Sequence, residues 1–189
     1  MGKVILIGGS PMVGKSSVSL TIASKLKYPC ISTDDIGEAL QTVAPINPMQ
    51  GKDFRDYYAN TPIDRLIVDI QRYHKAMEPA IERLVEIHSS WGNSLLIEGW
   101  ALYPKHIQQF KSNNISAVWL IACDGLLGSR LLGKPDFLDG VAARNYLSRS
   151  NWHNTMLLEQ CKAVDAPFVF VQGNESADLL STNILPFIP

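Results

Sequence analysis

Short unbroken apolar runs alternate along the chain with stretches whose apolar residues recur every three to four positions. The runs predict strands buried on both faces, and the recurring positions predict amphipathic helices. Val4, Ile5, Leu6 and Ile7 form the first run, and a helix over about 14–26 follows, with Val18, Ile22 and Leu26 on one face. Residues 28–32 predict a short second strand and residues 35–43 a helical segment. Residues 44–61 carry Pro45, Pro48 and Gly51 in a polar setting and predict a loop. A long helix then opens with Thr61 as N-cap and Pro62 at its first position. Pro79 predicts a kink or a break within it. Strands are predicted over 94–98, 117–122 and 168–171. Between the last two lie helices near 125–132 and 141–164, separated by a Gly/Pro/Asp stretch at 133–140. A short helix after Gly173 and an apolar tail over 184–189 close the chain. Strand alternating with helix predicts an α/β fold around a parallel sheet, in one domain without internal repeats.

Composition leaves that picture intact and removes several classes of partner. The 189 residues are 46% hydrophobic and 19% charged, with formal charge −1, so no basic excess points to nucleic acid. No apolar run approaches a membrane span. The opening MGKVILIGGS is too short in its apolar stretch for a secretory leader, and Leu6 stands where a myristoylation signal needs Ser or Thr. Cys30, Cys123 and Cys161 are widely spaced and odd in number, which predicts buried thiols in a reducing cytoplasm. A homodimer stays open at this point.

The sharpest chemical signal follows the first strand. Residues 9–16 read Gly-Ser-Pro-Met-Val-Gly-Lys-Ser, matching the P-loop pattern G-x-x-x-x-G-K-[ST] between a strand and a helix. The segment Gly9, Ser10, Pro11, Met12, Val13, Gly14, Lys15, Ser16 and Ser17 is therefore the expected nucleotide cradle. Glycine lets successive backbone N–H groups curl inward, and the helix N-terminus adds positive potential. Lys15 can reach the β- and γ-phosphates, and Ser16 can ligate Mg²⁺.

Ligands of an open α/β sheet bind beyond the carboxyl ends of its strands, and further suitable residues gather at that edge. Asp34 follows the second strand and can accept a proton from an attacking hydroxyl, while Asp35 is left to cap the next helix. Glu98 closes the apolar run Leu95-Leu96-Ile97 as in a Walker B segment, a place to hold water on Mg²⁺ or to orient an acceptor. Gly99 beside it predicts a close backbone approach. Asp124 lies beyond the fourth strand, and Gly173 follows the fifth. Arg144 and Arg149 come after the 133–140 stretch, where a closing lid would lie, and can meet charge on a transferred phosphoryl group. Arg130 can stack on adenine. His74, His88, His106 and His153 show no metal-ligand spacing, and His74 lies near the apolar face of the long helix.

With these residues in place the chain resembles the P-loop small-molecule and nucleotide kinases of the nucleoside-monophosphate-kinase-like fold, most of all the 2-phosphoglycerate kinase branch. The segments GGSPMVGKSS, ISTDDIGEAL and LLIEGWALYP carry the resemblance. It implies a three-layer P-loop fold with a five-stranded parallel sheet in order 2-3-1-4-5. It implies a helical substrate-binding segment over about 44–90, a lid over about 133–150, ATP and Mg²⁺. Asp34 matches the family's acid after the second strand and Glu98 the acid closing the third. Arg130 matches the adenine arginine, and Arg144 or Arg149 the lid arginine. Two positions depart: Gly37 stands where the branch carries arginine, and Ala101 where it carries histidine. A substrate phosphate or carboxylate loses a partner at each. Lys52, Arg55, Arg65 and Arg72 are candidates to replace them, and Tyr57 and Tyr58 could flank an aromatic or sugar substrate.

The expected activity is transfer of the γ-phosphoryl group of ATP to a hydroxyl or phosphate of a small metabolite or nucleotide. The alternative is a regulatory ATPase or GTPase module without kinase activity. A GTPase is disfavoured because no N-K-x-D guanine motif follows the P-loop.

Overall fold

The computed structural model describes residues 2–107, 109–110, 112–134 and 136–188. Pro135 in the 133–140 stretch and Pro189 in the apolar tail lie outside the described residues. The strands are β1 (Val4–Gly9), β2 (Cys30–Ser32), β3 (Leu95–Gly99), β4 (Ile115–Ala122) and β5 (Phe168–Val171). They form one sheet in the order β2-β3-β1-β4-β5, with every pairing parallel. The helices are α1 (Lys15–Leu26), α2 (Thr33–Gln41), α3 (Phe54–Asn60), α4 (Ile63–Ser90), α5 (Pro104–Ile107), α6 (Leu126–Leu132), α7 (Gly140–Val164) and α8 (Ala177–Ile184). A 3-10 turn, Leu185–Phe187, occupies the apolar tail.

Every residue of β1 and β3 is buried, which is why those strands read as continuous apolar runs. Side chains alternate between two helical layers. Ile5 and Ile7 of β1 pack with Val18 and Ile22 of α1 and Leu180 and Ile184 of α8. Val4 and Leu6 face the opposite way, against Ile70, Met77 and Val85 of α4. On β4, Trp119 and Ile121 pack on Leu157 and Cys161 of α7, while Val118 and Leu120 join the α1 layer. The α/β class, the five-stranded sheet and its order are as expected.

Two local expectations change, and one of two alternatives at Pro79 is removed. The segment 44–61 is not all loop, because α3 occupies Phe54–Asn60. Asp53 caps it by accepting from the Asp56 N–H, and Tyr57 and Tyr58 are its buried face. Thr61 ends α3, so Pro62 rather than Thr61 takes the N-cap of α4. The long helix is not split at Pro79: α4 continues through it for 28 residues, with Met77, Ile81 and Val85 buried on either side. Residues 140–150 of the expected lid form the first turns of the 25-residue helix α7. No helix of the described residues is long and apolar enough to cross a membrane.

Candidate active site

The backbone of the P-loop is shaped by its sequence. Gly9 takes φ +151° and Gly14 takes φ +100° as the N-cap of α1, conformations that favour glycine. A Cβ on Gly9 would stand 2.7 Å from the Leu120 carbonyl oxygen, so the loop lies hard against β4. The Lys15 ammonium donates to the Ser10 carbonyl at 2.8 Å across the loop. Lys15 is buried, and that burial lowers its pKa; Glu98 and Asp34 oppose the shift, and the Arg149 charge adds to it.

Glu98 is almost fully buried at the end of β3, paired in register with Ile7 of β1 and Ser32 of β2. Its Oε1 accepts from the Ser16 hydroxyl at 2.9 Å. A hydroxyl and a carboxylate are hard oxygen donors of the kind Mg²⁺ takes, with phosphate oxygens and water completing its octahedron. Among the described residues no group of three or more His, Cys, Asp or Glu side chains converges as a self-sufficient metal cage. The residues therefore fit a cation shared with bound phosphates. Gly99 has φ +155°, and a Cβ there would fall 1.8 Å from Thr33 Oγ1, so the expected close approach is real.

The two acids after β2 separate in function. Ser32 caps α2, accepting from the Asp34 N–H, while Asp35 reaches back to the Ser32 N–H in a capping box. That frees the Asp34 carboxylate, whose Oδ1 accepts from the indole N–H of Trp100 at 2.7 Å.

The arginines also separate. Arg149 is 3% exposed, and its guanidinium lies 4.5 Å from the Trp100 ring centroid, 4.8 Å from Tyr146 and 5.3 Å from Tyr58. It donates to the Tyr58 hydroxyl and, at 3.4 Å, to the Ser150 hydroxyl; its Nε has no partner among the described residues. Among the described residues no carboxylate pairs with it, an unusual state for a buried charge. Arg144 instead projects from the exposed side of α7 and makes no hydrogen bond or ion pair among the described residues. Arg130 donates to the Met12 carbonyl of the P-loop at 2.7 Å. Gly173 takes φ +100° after β5, and its N–H donates to Glu175 at 2.7 Å.

Lys15, Ser16, Asp34 and Arg149 line one cavity of about 470 Å³, together with Pro11 and Met12 of the P-loop. The rest of the wall was not foreseen from the sequence: Glu38, Asn47, Met49, Phe54, Tyr73, Trp100, Phe137 and Tyr146 line it beside Tyr58. Trp100 could have been found, since it directly follows the Glu98-Gly99 pair. Phe54 and Tyr58 are spaced i,i+4 within a segment read as loop. Tyr57 turns away, its hydroxyl donating to Asp69 at 3.0 Å.

Both departures from the resembled branch have a structural basis. A Cβ on Gly37 would lie 2.0 Å from the Tyr73 hydroxyl and 2.9 Å from Met77 Sδ. The Tyr73 phenol therefore fills the space a side chain at 37 would need. Ala101 is buried in the core between α4 and the sheet. Two buried histidines lie close by instead. His74 meets the Trp100 ring edge-on at 4.5 Å between centroids, and His153 lies 5.8 Å from His74.

No protein-family model matches this chain. A 2-phosphoglycerate kinase from Methanocaldococcus jannaschii is 29% identical over 128 residues, 62% of this chain, and the match spans 40% of that protein's length. Solved structures of similar fold include a shikimate kinase from Acinetobacter baumannii in complex with shikimate, with TM-score 0.56, 15% identity and coverage of 98% and 92% of the two chains. A gluconokinase from Sinorhizobium meliloti aligns with TM-score 0.52, 18% identity and 98% and 90% coverage. A deoxyadenosine kinase from M. mycoides with bound dATP aligns with TM-score 0.55, 16% identity and 97% coverage of both chains. The fold is that of the P-loop kinases.

Proposed function

We propose that the chain is an ATP-dependent phosphotransferase acting on a small molecule in the cytoplasm. One observation carries this reading: Lys15, Ser16, Asp34 and Arg149 line a single cavity, and Glu98 is bonded to Ser16 at its edge. Backbone N–H groups of the P-loop and Lys15 hold the donor phosphates. Ser16 and Glu98 would hold Mg²⁺, which when bound neutralises charge on the β- and γ-phosphates. Asp34 orients the acceptor hydroxyl and takes its proton as the new O–P bond forms and the bond from the γ-phosphorus to the bridging oxygen breaks, releasing ADP. Arg149, preset between aromatic faces with no carboxylate partner among the described residues, meets the charge spread over the equatorial oxygens. Arg130, bonded to the Met12 carbonyl of the P-loop, and Gly173 after β5 would face the base of ATP.

The test is acceptor-dependent ADP release together with nucleotide binding followed by thermal shift. Asp34→Asn should lower transfer at least a hundredfold while ATP still raises Tm. Lys15→Ala should weaken ATP binding about tenfold or more, the value of a charge-assisted hydrogen bond. Stabilisation by GTP but not ATP, or full transfer by Asp34→Asn, would overturn the assignment.

A further inference from the structure

The acceptor half of the cavity has an unexpected charge balance. Asp34 and Glu38 stand one turn apart on α2 and both line it, and Glu38 makes no hydrogen bond or ion pair among the described residues. The Tyr73 phenol lines it between them and Gly37. Its pKa is pushed up to about 12, by burial first and then by Glu38 and Asp34, so it faces the acceptor as a neutral hydroxyl.

None of the four candidate cations for an anionic acceptor lines this cavity. Lys52 sits 5.2 Å from the Tyr57 ring centroid and donates to the Pro48 carbonyl. Arg55 donates to the Asp136 carbonyl. Arg65 is ion-paired with Asp69 at 2.9 Å, and Arg72 is exposed. The cations that do line the cavity are Lys15, held on the P-loop, and Arg149. Both are claimed by the transferred phosphoryl group on the reading above. A carboxylate or phosphate on the acceptor would meet Asp34 and Glu38 with no cation of its own, at a cost that rises as the site closes to water.

Most of the remaining wall is aromatic, with Asn47 and Met49 beside the rings. Phe54, Tyr58 and Tyr146 pack at centroid separations of 4.8 to 6.1 Å, tilted or edge-on, and Trp100 lies across from them with Arg149 between. Such a wall favours a flat ring offset-stacked or edge-on.

We infer that the acceptor is a ring-bearing alcohol, neutral or carrying an amino group, rather than a carboxylated or phosphorylated acid. The inference rests on the phosphotransferase reading, and it inverts the charge that the resembled branch would select. Asp34 receives the acceptor hydroxyl, Glu38 and Tyr73 take up a neighbouring amino or hydroxyl group, and the rings hold the planar part.

A matched series tests it: phenylethanolamine, phenylethanediol and mandelate share a phenyl ring and a benzylic alcohol, and differ in the neighbouring group, which is an ammonium, a second hydroxyl or a carboxylate. Adenosine serves as a larger neutral ring alcohol and 2-phosphoglycerate as the acyclic anion. Acceptor-dependent ADP release and quenching of tryptophan fluorescence are read side by side. The expected order is amine and diol above mandelate by at least tenfold in kcat/KM and in binding, with 2-phosphoglycerate weaker still. Glu38→Gln should raise KM for the amine several-fold more than for the diol, leaving KM for ATP unchanged. ADP release driven best by mandelate or 2-phosphoglycerate would overturn the inference while leaving the kinase reading intact. Absence of acceptor-driven ADP release throughout would overturn the kinase reading. The binding series still decides acceptor class then, since tighter binding of the anions, or no binding by any ring compound, also sinks the inference.

Discussion

The indole N–H of Trp100 holds the carboxylate of Asp34 at 2.7 Å, and the same indole ring lies 4.5 Å from the guanidinium of Arg149. One side chain thus positions the proposed base and the proposed charge acceptor together. Trp100→Phe keeps a ring near Arg149 but removes the hydrogen bond. We expect kcat to fall about tenfold to a hundredfold with KM for ATP little changed, the cost of misplacing a catalytic group. Steady-state kinetics with ATP as the varied substrate measures it, and an unchanged kcat would contradict the role.

The helical phase of α7 decides which arginine matters. Ala142, Tyr146, Arg149, His153 and Leu157 are buried at helical spacing, whereas Arg144 falls on the exposed side. Arg149→Lys retains charge but loses the planar fork and the stacking between rings. It should lower kcat at least a hundredfold, within the range known for arginines that meet transferred phosphoryl groups. Arg144→Ala should stay within about twofold of the parent, a surface change. The reverse ranking would move the charge-stabilising role to Arg144.

Gly37 is a point of close approach between α2 and α4. Gly37→Ala gains roughly 1 kcal/mol of helix propensity but drives a methyl into the buried Tyr73 phenol. We expect a net loss of about 1–2 kcal/mol, since overpacking of this severity exceeds the propensity gain. Chemical denaturation reports it, and Tyr73→Phe in the same background should recover part of the loss. A more stable Gly37→Ala protein would show that α2 and α4 separate freely.

Acid should unfold the protein earlier than its composition suggests. Burial holds His153 down at about 3, with the Arg149 and Lys15 charges adding to it. Burial also holds His74 well below 6.5, helped by His153, Arg149 and Lys15. Both are neutral when folded and bind protons near pH 6.5 when unfolded, so their stabilisation is complete above that pH. It is lost as pH falls from about 6.5 towards 3, by at most about 1.4 kcal/mol per pH unit for each histidine. Tm should drop several degrees between pH 7 and pH 5, and His153→Gln should flatten that slope. A slope unchanged by the substitution would assign the acid sensitivity elsewhere.

The donor half of the site was legible because its signals are local. Residues 9–16 and the Leu95–Glu98 run each state their geometry within a few positions, and the strand–helix alternation fixes the sheet edge they share. The place of Asp34 at the cavity was legible for the same reason, two residues past β2. The acceptor half was not, because its wall draws on α2, α3, α4, the turn after β3 and α7, brought together only by packing. The i, i+4, i+7 spacing of Ala142, Tyr146 and Arg149 already sets Arg149 on a different helix face from Arg144. The helix α3 was hidden by the proline and glycine just before it, although Asp53 followed by Phe54, Tyr57 and Tyr58 spells a cap and a face.

The anchoring of α7 limits how this protein can move. Asn154 grips both polar groups of Ala122 on β4, at 2.8 and 3.0 Å, and meets Ser10 of the P-loop at 3.4 Å. Asn145, nine residues earlier, holds the Tyr58 carbonyl of α3 at 2.9 Å. Arg149 sits between these two clamps, so it cannot swing in from solvent in the manner of a mobile finger. Any hinge must fall before Asn145. The arginine is built into the frame of the proposed nucleotide site, so a role there would need little rearrangement of α7. The same rigidity means that damage to the α7–β4 clamp would be felt at the phosphate before it was felt in the fold.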